Sequence, residues 1–407
     1  MKKFEIPQYY KSDIISKIKD IRKKNDPRKK DFTPSLLKVG KIEFIIARHF
    51  GFCYGVENAI EISYKAINAN PDKRIFLLSQ MIHNPGVNKD LLSHGVQFIQ
   101  DTNGTQLIQW EELTSDDIVI IPAFGTTLEI KQKLDQIGVQ VDAYNTTCPF
   151  VEKVWNRSEK LGVDAHTIII HGKHDHEETR ATFSHSSSNA PTLVLKNITE
   201  AKWLFDYIVG NRPLDDFHET FKNRFTEGFD PTIHLLKIGV VNQTTMLASE
   251  TQEITDLLRG AMIQKYGADS IQDHIADTRD TLCYATNDNQ TATYGLLETE
   301  ADFAIVVGGY NSSNTTHLVE LLESKFDVYF IASENEIDDN GFVSHYNIHS
   351  CEIEEKQLFS DTINSKLRII ITSGASCPDA VVDAVIRKIL LINKENSDIE
   401  KAIALIQ

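Results

Sequence analysis

The chain has 407 residues, 41% of them apolar and 25% charged, which is the composition of a globular protein with two or three domains. No window approaches the roughly 18 consecutive apolar residues of a membrane-spanning helix, and the first residues lack an apolar stretch of signal-peptide length. Five cysteines, an odd number, fit a reducing compartment better than a disulfide framework. We therefore expect no membrane association and a cytoplasmic location.

The net charge of −16 is distributed unevenly along the chain. Residues 1–31 carry eleven Lys and Arg against five Asp and Glu, so the remainder is strongly acidic. An acidic body argues against a nucleic-acid partner, because neutralising phosphates requires basic faces. The basic segment is interpreted either as an amphipathic arm that packs on this acidic body or as a contact for an acidic surface or RNA.

From residue 41 onward, short β-rich runs alternate with helix-length amphipathic segments. The predicted strands are 43–47, 74–78, 118–122, 139–144, 167–171, 237–241, 303–307, 328–331 and 368–372. Several, such as TIIIH, FAIVV and RIIIT, are apolar throughout, which is typical of strands buried on both faces of a parallel sheet. Helices are predicted over 56–67, 316–325 and 379–392. The fold class is therefore α/β with mainly parallel sheets.

A repeated pattern divides this region into three similar units. In each unit one strand ends in a polar cluster (SQMIHNPG, HGKHDHEET, GGYNSSNTT), and a later strand ends in small or hydroxyl residues (PAFGTT, VNQTTM, TSGASCPD). Such edges suit a small anionic ligand, since ligands of open parallel sheets bind beyond the carboxyl ends of the strands. Three ordinary strand–turn–helix connections are the alternative. We predict a basic N-terminal extension (1–42), α/β units over 43–147, 148–282 and 283–392, an insertion near 203–235 in the second unit, and a C-terminal tail (393–407).

Three cysteines lie beside glycine, proline or tyrosine at the ends of apolar runs: Cys53 in GFCYG, Cys148 in TTCPF and Cys283 in TLCYA. A helix start favours the thiolate, and one thiolate from each unit predicts a shared metal centre with three protein ligands and one open position. Three thiolates suit zinc or a 4Fe–4S cluster with one free iron. For any single cysteine, a buried structural thiol is the alternative, and Cys351 and Cys377 are interpreted in that way.

The motifs GFCYGV, MIHN, TTCPFVEKV, HEET, NQTT, LCYATNDNQ, GGYNSSNTTHL and TSGASCPD, in this order, resemble those of the 4-hydroxy-3-methylbut-2-enyl diphosphate reductase family. The resemblance covers residues 43 to about 392. It implies a trefoil of three α/β units around one 4Fe–4S cluster, held by Cys53, Cys148 and Cys283 with an open fourth iron. The implied reaction is the reductive removal of the hydroxyl group of an allylic alcohol diphosphate, the last step of non-mevalonate isoprenoid biosynthesis.

The resemblance also implies roles for individual side chains. Glu178 would supply the proton to the leaving oxygen, with Thr244 completing the proton path and His176 beside them as a further catalytic residue. The implied substrate-binding residues are His83, His176, Thr244, Ser312, Ser313, Asn314 and Ser376. Electrons would come from an external carrier of the ferredoxin or flavodoxin type. The positive charge of residues 1–31 leads to the separate hypothesis that this segment docks the carrier.

One position departs from the family pattern. Many bacterial members have histidine where this chain has Phe124, whereas the branch typified by plants and cyanobacteria carries the same PAFG sequence. The departure puts one phosphate contact in doubt, which a backbone amide or Thr126 would replace. Two other functions stay open beside the reductase: a hydro-lyase that uses the same open iron, and a non-catalytic protein that binds zinc or another ligand.

Overall fold

The computed structural model describes residues 4–276, 281–359, 366–395 and 399–404. The chain forms two compact units. The terminal unit contains both ends of the chain (1–57, 82–89 and 284–407), and the central unit contains 58–81 and 90–283. Among the described residues, no helix is both long enough and apolar enough to cross a membrane.

The strands, in chain order, are β1 (Ser35–Val39), β2 (Ile42–Ile46), β3 (Ile75–Leu77), β4 (Gln97–Phe98), β5 (Ile118–Ile120), β6 (Thr167–His171), β7 (Thr192–Leu195), β8 (Ile238–Asn242), β9 (Phe303–Val307), β10 (Val328–Ile331), β11 (Phe342–Asn347), β12 (Glu352–Gln357) and β13 (Leu367–Ser373). The helices are α1 (Asp13–Asn25), α2 (Tyr54–Ala69), α3 (Pro85–Ser93), α4 (Leu128–Ile137), α5 (Pro149–Val163), α6 (Glu177–Ser187), α7 (Ile198–Val209), α8 (Phe217–Thr220), α9 (Pro231–His234), α10 (Ala248–Tyr266), α11 (Ile271–His274), α12 (Tyr284–Leu297), α13 (Ser313–Leu322), α14 (Asp379–Ile392) and α15 (Ile399–Ala404).

The terminal unit is built on a sheet with the strand order β1-β2-β13-β9-β10. The pairs β2–β13, β13–β9 and β9–β10 are parallel, and β1 adds an antiparallel edge. Every residue of β9 is buried, as its uninterrupted apolar sequence predicts, and every residue of β2 is buried as well, including Glu43. Since parallel strands end at the same edge of a sheet, the segments that follow β2, β9 and β13 lie at one edge of this unit. A separate antiparallel ribbon pairs β11 with β12.

The N-terminal segment is part of the terminal unit. Ser12 caps α1 by accepting the Ile15 N–H at 2.9 Å, and its hydroxyl donates to Asp383 on α14 at 2.7 Å. Ile14, Ile15 and Ile18 face the core and are at most 2% exposed. The basic segment therefore packs on the protein's own surface, one of the two arrangements expected from the sequence.

The central unit contains two parallel three-stranded sheets, β4-β3-β5 and β7-β6-β8. Its residues 203–235 differ from the polar insertion that the sequence suggested. Three phenylalanines from this segment, Phe217, Phe221 and Phe229, are 0–3% exposed and join the hydrophobic core. The segment comprises the end of α7, together with α8 and α9. Its mixed charge therefore accompanies a buried aromatic face.

Most predicted strands are present, and one is wrong. Residues 141–144 form a 3-10 helix (Val141–Tyr144) that follows the left-handed Gly138 at the end of α4. Only Asn145 makes a parallel bridge, to Ile121. Of the predicted tail 393–407, the structure describes residues 393–395 and the short α15, and the rest lies outside the described residues.

Candidate functional site

Cys53 begins a helix in the terminal unit. Its N–H donates to the Ala375 carbonyl at 3.2 Å, and its own carbonyl accepts the Glu57 N–H at 2.9 Å in the first turn of α2. The preceding Gly51 has φ +79°, and a Cβ at that position would lie 2.3 Å from Oδ1 of Asp379. The turn that presents the thiol therefore requires glycine, as its sequence GFCYG indicated.

Polar groups from three loops of the terminal unit come together beyond the ends of β9 and β13. The Ser376 hydroxyl donates to the His83 carbonyl at 3.0 Å, and Asn314 Oδ1 accepts the Ala375 N–H at 3.0 Å. A Cβ on Gly309 would lie 2.4 Å from the His83 carbonyl oxygen, so the loop after β9 approaches closely because it has glycine there. Of the predicted substrate-binding residues, this unit brings together His83, Ser312, Ser313, Asn314 and Ser376, all of them at most 8% exposed.

Asn314 presents an unused donor in this cluster. Its Oδ1 accepts from Ala375 and from Asn289 Nδ2 at 3.3 Å, while its Nδ2 is buried and has no hydrogen-bond partner among the described residues. Ser312 caps α13 by accepting the Thr315 N–H at 3.4 Å. A helix N-terminus with a spare amide donor is an arrangement that suits a phosphate group.

In the central unit, Cys148 lies at the N-cap of α5, and its N–H donates to the Ala123 carbonyl at 3.0 Å. Burial, together with the nearby Cys283 and Glu178, raises the pKa of its thiol to about 11, although the N–H groups of Phe150 and Val151 oppose the shift. The helix N-terminus alone therefore does not deprotonate this thiol at neutral pH. A bound metal ion would favour the thiolate, because it stabilises the deprotonated sulfur.

Glu178 and Thr244 form the predicted pair in the central unit. The Thr244 N–H donates to Glu178 Oε1 at 2.5 Å, and the Thr244 carbonyl accepts the Cys283 N–H at 3.2 Å. Glu178 is 2% exposed, and burial raises the pKa of its carboxyl to about 7 even though the Thr244 N–H and hydroxyl lower it. A carboxyl group with this pKa can hold a proton at neutral pH and release it.

His176 caps α6, the helix that carries Glu178. Its Nδ1 accepts the Glu178 N–H at 3.2 Å, so the neutral ring carries its proton on Nε2. Phe124 packs edge-to-face on the His176 ring with centroids 5.6 Å apart. The residue that replaces the usual histidine therefore holds another predicted ligand-binding imidazole in place.

Some residues that shape the central unit were not singled out from the sequence. Gln243 is fully buried, and its Oε1 accepts from the Lys173 N–H at 3.1 Å and from the Thr179 hydroxyl at 3.0 Å. The Thr281 N–H and hydroxyl donate to Asn242 Oδ1 at 2.9 and 2.6 Å, which anchors the loop before Cys283. The signal was present in NQTT, a run of amides and hydroxyls directly after a buried strand.

Thr126, suggested as a substitute for the missing imidazole, has a buried Oγ1 with no hydrogen-bond partner among the described residues. Its carbonyl interacts with Nε2 of His185 at 3.3 Å, and His185 stacks on Trp155 with ring centroids 3.7 Å apart. A Cβ on Gly125 would lie 2.5 Å from the same indole. The PAFGTT loop thus packs against the Trp155–His185 pair. In this position the Thr126 hydroxyl has no hydrogen-bond partner among the described residues.

The two other cysteines have different surroundings. Cys377 is fully buried in the core of the terminal unit, where burial raises the pKa of its thiol to about 12. Cys351 is exposed, in the turn that joins β11 to β12. None of the five cysteines, all of which are described, forms a disulfide.

The three candidate ligand cysteines are divided between the units, with Cys53 in the terminal unit and Cys148 and Cys283 in the central unit. Among the described residues, no group of three or more His, Cys, Asp or Glu side chains could hold a metal ion. The donor set itself, thiols beside glycine or proline at helix starts, fits a thiolate-bound metal or cluster.

An α/β protein that combines such thiols with a buried proton-carrying acid and an amide-rich helix start is of the metalloenzyme class. The LytB protein family model matches residues 44–390 of the chain. The chain belongs to this family.

Relatives of known name agree with this assignment. The chain is 41% identical over 351 residues to the 4-hydroxy-3-methylbut-2-enyl diphosphate reductase of Crocosphaera subtropica, covering 86% of this chain and 85% of the relative. It is 38% identical over 397 residues to the reductase of the same name from Synechococcus sp. strain CC9605, covering 96% and 92%. The match to the second relative includes most of the N-terminal extension.

Two solved structures share the fold. One is of (E)-4-hydroxy-3-methyl-but-2-enyl diphosphate reductase, the terminal enzyme of the non-mevalonate pathway, with a TM-score of 0.52, 23% identity, and coverage of 86% of this chain and 99% of that chain. The other is the E-1-hydroxy-2-methyl-but-2-enyl-4-diphosphate reductase from Plasmodium falciparum, with a TM-score of 0.62, 21% identity, and coverage of 86% and 87%. These likenesses confirm the predicted fold class, an α/β trefoil.

Proposed function

We propose that this protein reduces (E)-4-hydroxy-3-methylbut-2-enyl diphosphate to isopentenyl and dimethylallyl diphosphate. The reaction adds two electrons and two protons to the allylic alcohol, the C–O bond breaks, and the oxygen leaves as water. The observation that carries the proposal is the linked arrangement of His176, Glu178 and Thr244 beside Cys148 and Cys283 in the central unit. Membership of a family whose named relatives are reductases of this substrate supports it.

Cys53, Cys148 and Cys283 would hold a 4Fe–4S cluster with three protein ligands and an open fourth iron. When bound, the cluster supplies single electrons and a Lewis-acidic site. Cys377 does not compete for that position, because its thiol is enclosed in the core of the terminal unit. From the odd number of cysteines in a chain of this length, we infer a reducing, cytoplasmic location.

The proton for the leaving oxygen is held on the Glu178 carboxyl. Its Oε1 is fixed by the Thr244 N–H, and the Thr244 hydroxyl also bonds to this carboxyl, so we assign it the contact with the substrate oxygen. Because the carboxyl is buried, it stays protonated to a higher pH than a solvated glutamate and can act as a general acid. The Nε2–H of His176 would donate to the substrate from the same helix start.

The diphosphate would be bound chiefly by the terminal unit. The unpartnered Nδ2 of Asn314, the hydroxyls of Ser312 and Ser313, and the His83 imidazole are the donors we assign to it. The Ser376 hydroxyl would join them by exchanging its hydrogen bond to the His83 carbonyl for one to the diphosphate. Ser312, Ser313 and Asn314 lie at the start of α13, which adds backbone N–H groups and the positive end of the helix dipole. The buried Thr126 hydroxyl is a further donor of the central unit for the contact that Phe124 cannot make.

The test begins with anaerobic purification or reconstitution, followed by iron and sulfide analysis and a turnover assay with a chemically reduced donor. About four iron and four sulfide per chain, together with donor-dependent release of the two products, are expected. Zinc without sulfide would instead support a binding protein, and activity that persists without any electron donor would support a hydro-lyase. Either result would overturn the reductase proposal. The physiological donor we propose is a ferredoxin or a flavodoxin.

A further inference from the structure

A groove in the terminal unit opens onto the turn that carries Cys53. It has a volume of about 580 Å³ and lies between α1 and the segment that follows β2. Tyr10, Phe52 and Cys53 are among its lining residues. The buried isoleucines of α1 hold this helix against the core, so the groove is a fixed feature of the unit.

Lysines line the opening of the groove. Lys11, Lys23 and Lys29 are exposed and contribute to its walls. Lys19 also lines it but is neutralised by Asp379, whose two carboxylate oxygens lie 2.7 and 2.9 Å from its ammonium group. The remaining lysine charges face solvent at the rim.

The inner wall of the groove carries a positive charge, and two of its buried nitrogen atoms lack a hydrogen-bond partner among the described residues. Arg48 is 7% exposed, yet its Nε has no hydrogen-bond partner among the described residues, and its ion pair with Asp26 spans 3.7 Å. The adjacent His49 has a buried Nε2 that likewise lacks a partner there. Burial, followed by the charges of Arg48, Lys29 and Lys19, lowers the pKa of His49 to about 4.

The groove also contains carboxyl groups, but its cationic residues outnumber them: Lys11, Lys19, Lys23, Lys29 and Arg48 line it against Asp20, Glu57, Asp288 and Asp379. Asp379 is committed to Lys19. Asp20 is exposed on α1.

We propose that this groove is the docking surface of an acidic one-electron carrier protein, one of whose carboxylates binds Arg48 at the inner wall. The inference rests on the proposed function, in which Cys53 is a cluster ligand, and it locates where electrons enter. A carrier seated here would lie against the ligand turn itself. The basic N-terminal segment thereby becomes the part of an otherwise acidic protein that attracts an acidic partner.

Charge steering explains why such a surface would be built from lysines on a rigid helix. Opposite charges raise the rate of encounter, while small polar interfaces allow the carrier to leave after each electron. Because the rest of the chain is strongly acidic, the same field repels the carrier elsewhere. The buried Arg48 would give the encounter a defined orientation that exposed lysines alone do not provide.

The experiment uses the reconstituted full-length protein and a plant-type 2Fe–2S ferredoxin. The double variant Lys23→Glu/Lys29→Glu is compared with Lys202→Glu/Lys356→Glu, which changes the net charge equally at exposed positions outside the groove lining. We expect the groove variant to raise the apparent KM for reduced ferredoxin roughly tenfold and to weaken binding of oxidised ferredoxin, measured by surface plasmon resonance, to a similar extent. The salt dependence of that binding should also become shallower.

Turnover with reduced methyl viologen separates the two hypotheses. The groove variant should keep it within about twofold of the unmodified protein, since this small cationic donor needs no lysine surface. If the unmodified protein shows no turnover with methyl viologen, the reductase function fails, whatever the ferredoxin data. If ferredoxin binding and KM are unchanged in the groove variant, or change as much in the control, the docking proposal is overturned. An equal loss with both donors would also overturn it.

Discussion

The backbone N–H of Thr244 donates a 2.5 Å hydrogen bond to Oε1 of Glu178, and the Thr244 carbonyl accepts the N–H of Cys283. A single residue therefore links the candidate proton donor to a candidate cluster ligand. On the Thr244 side both hydrogen bonds use main-chain groups, so the link does not depend on the Thr244 side chain. It ties the Glu178 carboxyl to the backbone of the residue that carries the second thiol of the central unit.

Replacing this acid should abolish most turnover without removing the cluster. Glu178→Gln keeps the size of the side chain and an oxygen for the Thr244 N–H but cannot donate a carboxyl proton. We expect turnover to fall about 10²–10⁴-fold, the usual contribution of a general acid. Glu159→Gln, at an exposed position on α5, is the matched control and should be unaffected. Full activity with normal iron content in Glu178→Gln would remove Glu178 from the mechanism.

The pH profile should carry the signature of the same carboxyl. Burial raises the pKa of Glu178 to about 7, so the group is protonated below that pH and loses its proton above it. Since the protonated form is the active one, kcat/KM should fall on the alkaline side with an apparent pKa near 7. The measurement is a rate profile from pH 5 to 9, a range of about two units on either side of that value. The alkaline limb should be missing from the residual activity of Glu178→Gln, and an identical limb in the variant would assign it to another group.

Much of the fold could be predicted because its central strands are buried on both faces. The uninterrupted apolar runs of β6, β9 and β13 leave a buried parallel strand as the simplest interpretation. The prediction of a strand over residues 139–144 was wrong for a physical reason. Val139 and Val141 are both buried, and their alternation along the sequence is the same as that of a strand. Helix α4 ends at Gly138, and the chain then forms a 3-10 helix, so these residues cannot pair with a neighbouring strand.

The candidate site was predictable where residue type determines position. Cys53 and Cys148 do begin helices, because glycine and proline specify those turns. The capping role of His176 could not be predicted, since it depends on which ring nitrogen faces the Glu178 N–H. The unsatisfied Nδ2 of Asn314 depends on contacts between segments far apart in the chain, which a single sequence does not contain.

The spare donor of Asn314 leads to a prediction about substrate affinity. Asn314→Asp keeps the oxygen that accepts the Ala375 N–H but replaces the buried Nδ2 donor with an acceptor. Loss of a hydrogen bond to a charged phosphate costs about 1.5–3 kcal/mol, and like-charge repulsion adds to it. We expect KM for the diphosphate substrate, and the inhibition constant of inorganic pyrophosphate, to rise about tenfold or more. Asn340→Asp, on an exposed loop of the same unit, is the control. Unchanged values for Asn314→Asp would show that Nδ2 faces no phosphate.

The N-terminal helix should prove to be structural as well as basic. Ile15 is fully buried in the core of the terminal unit, whereas Leu36 on the edge strand β1 is 41% exposed. Ile15→Ala should lower the free energy of unfolding by roughly 2–5 kcal/mol, because it removes buried methyl groups and leaves a cavity. Leu36→Ala, a similar deletion of aliphatic side chain near the same end of the chain, should cost about 0.5 kcal/mol or less. Urea denaturation gives the two values, and hydrogen exchange should localise the loss in Ile15→Ala to α1 and to strands of the terminal sheet. If both variants are equally stable, α1 is not anchored in the core, and the fixed groove between this helix and the Cys53 turn would lose its support.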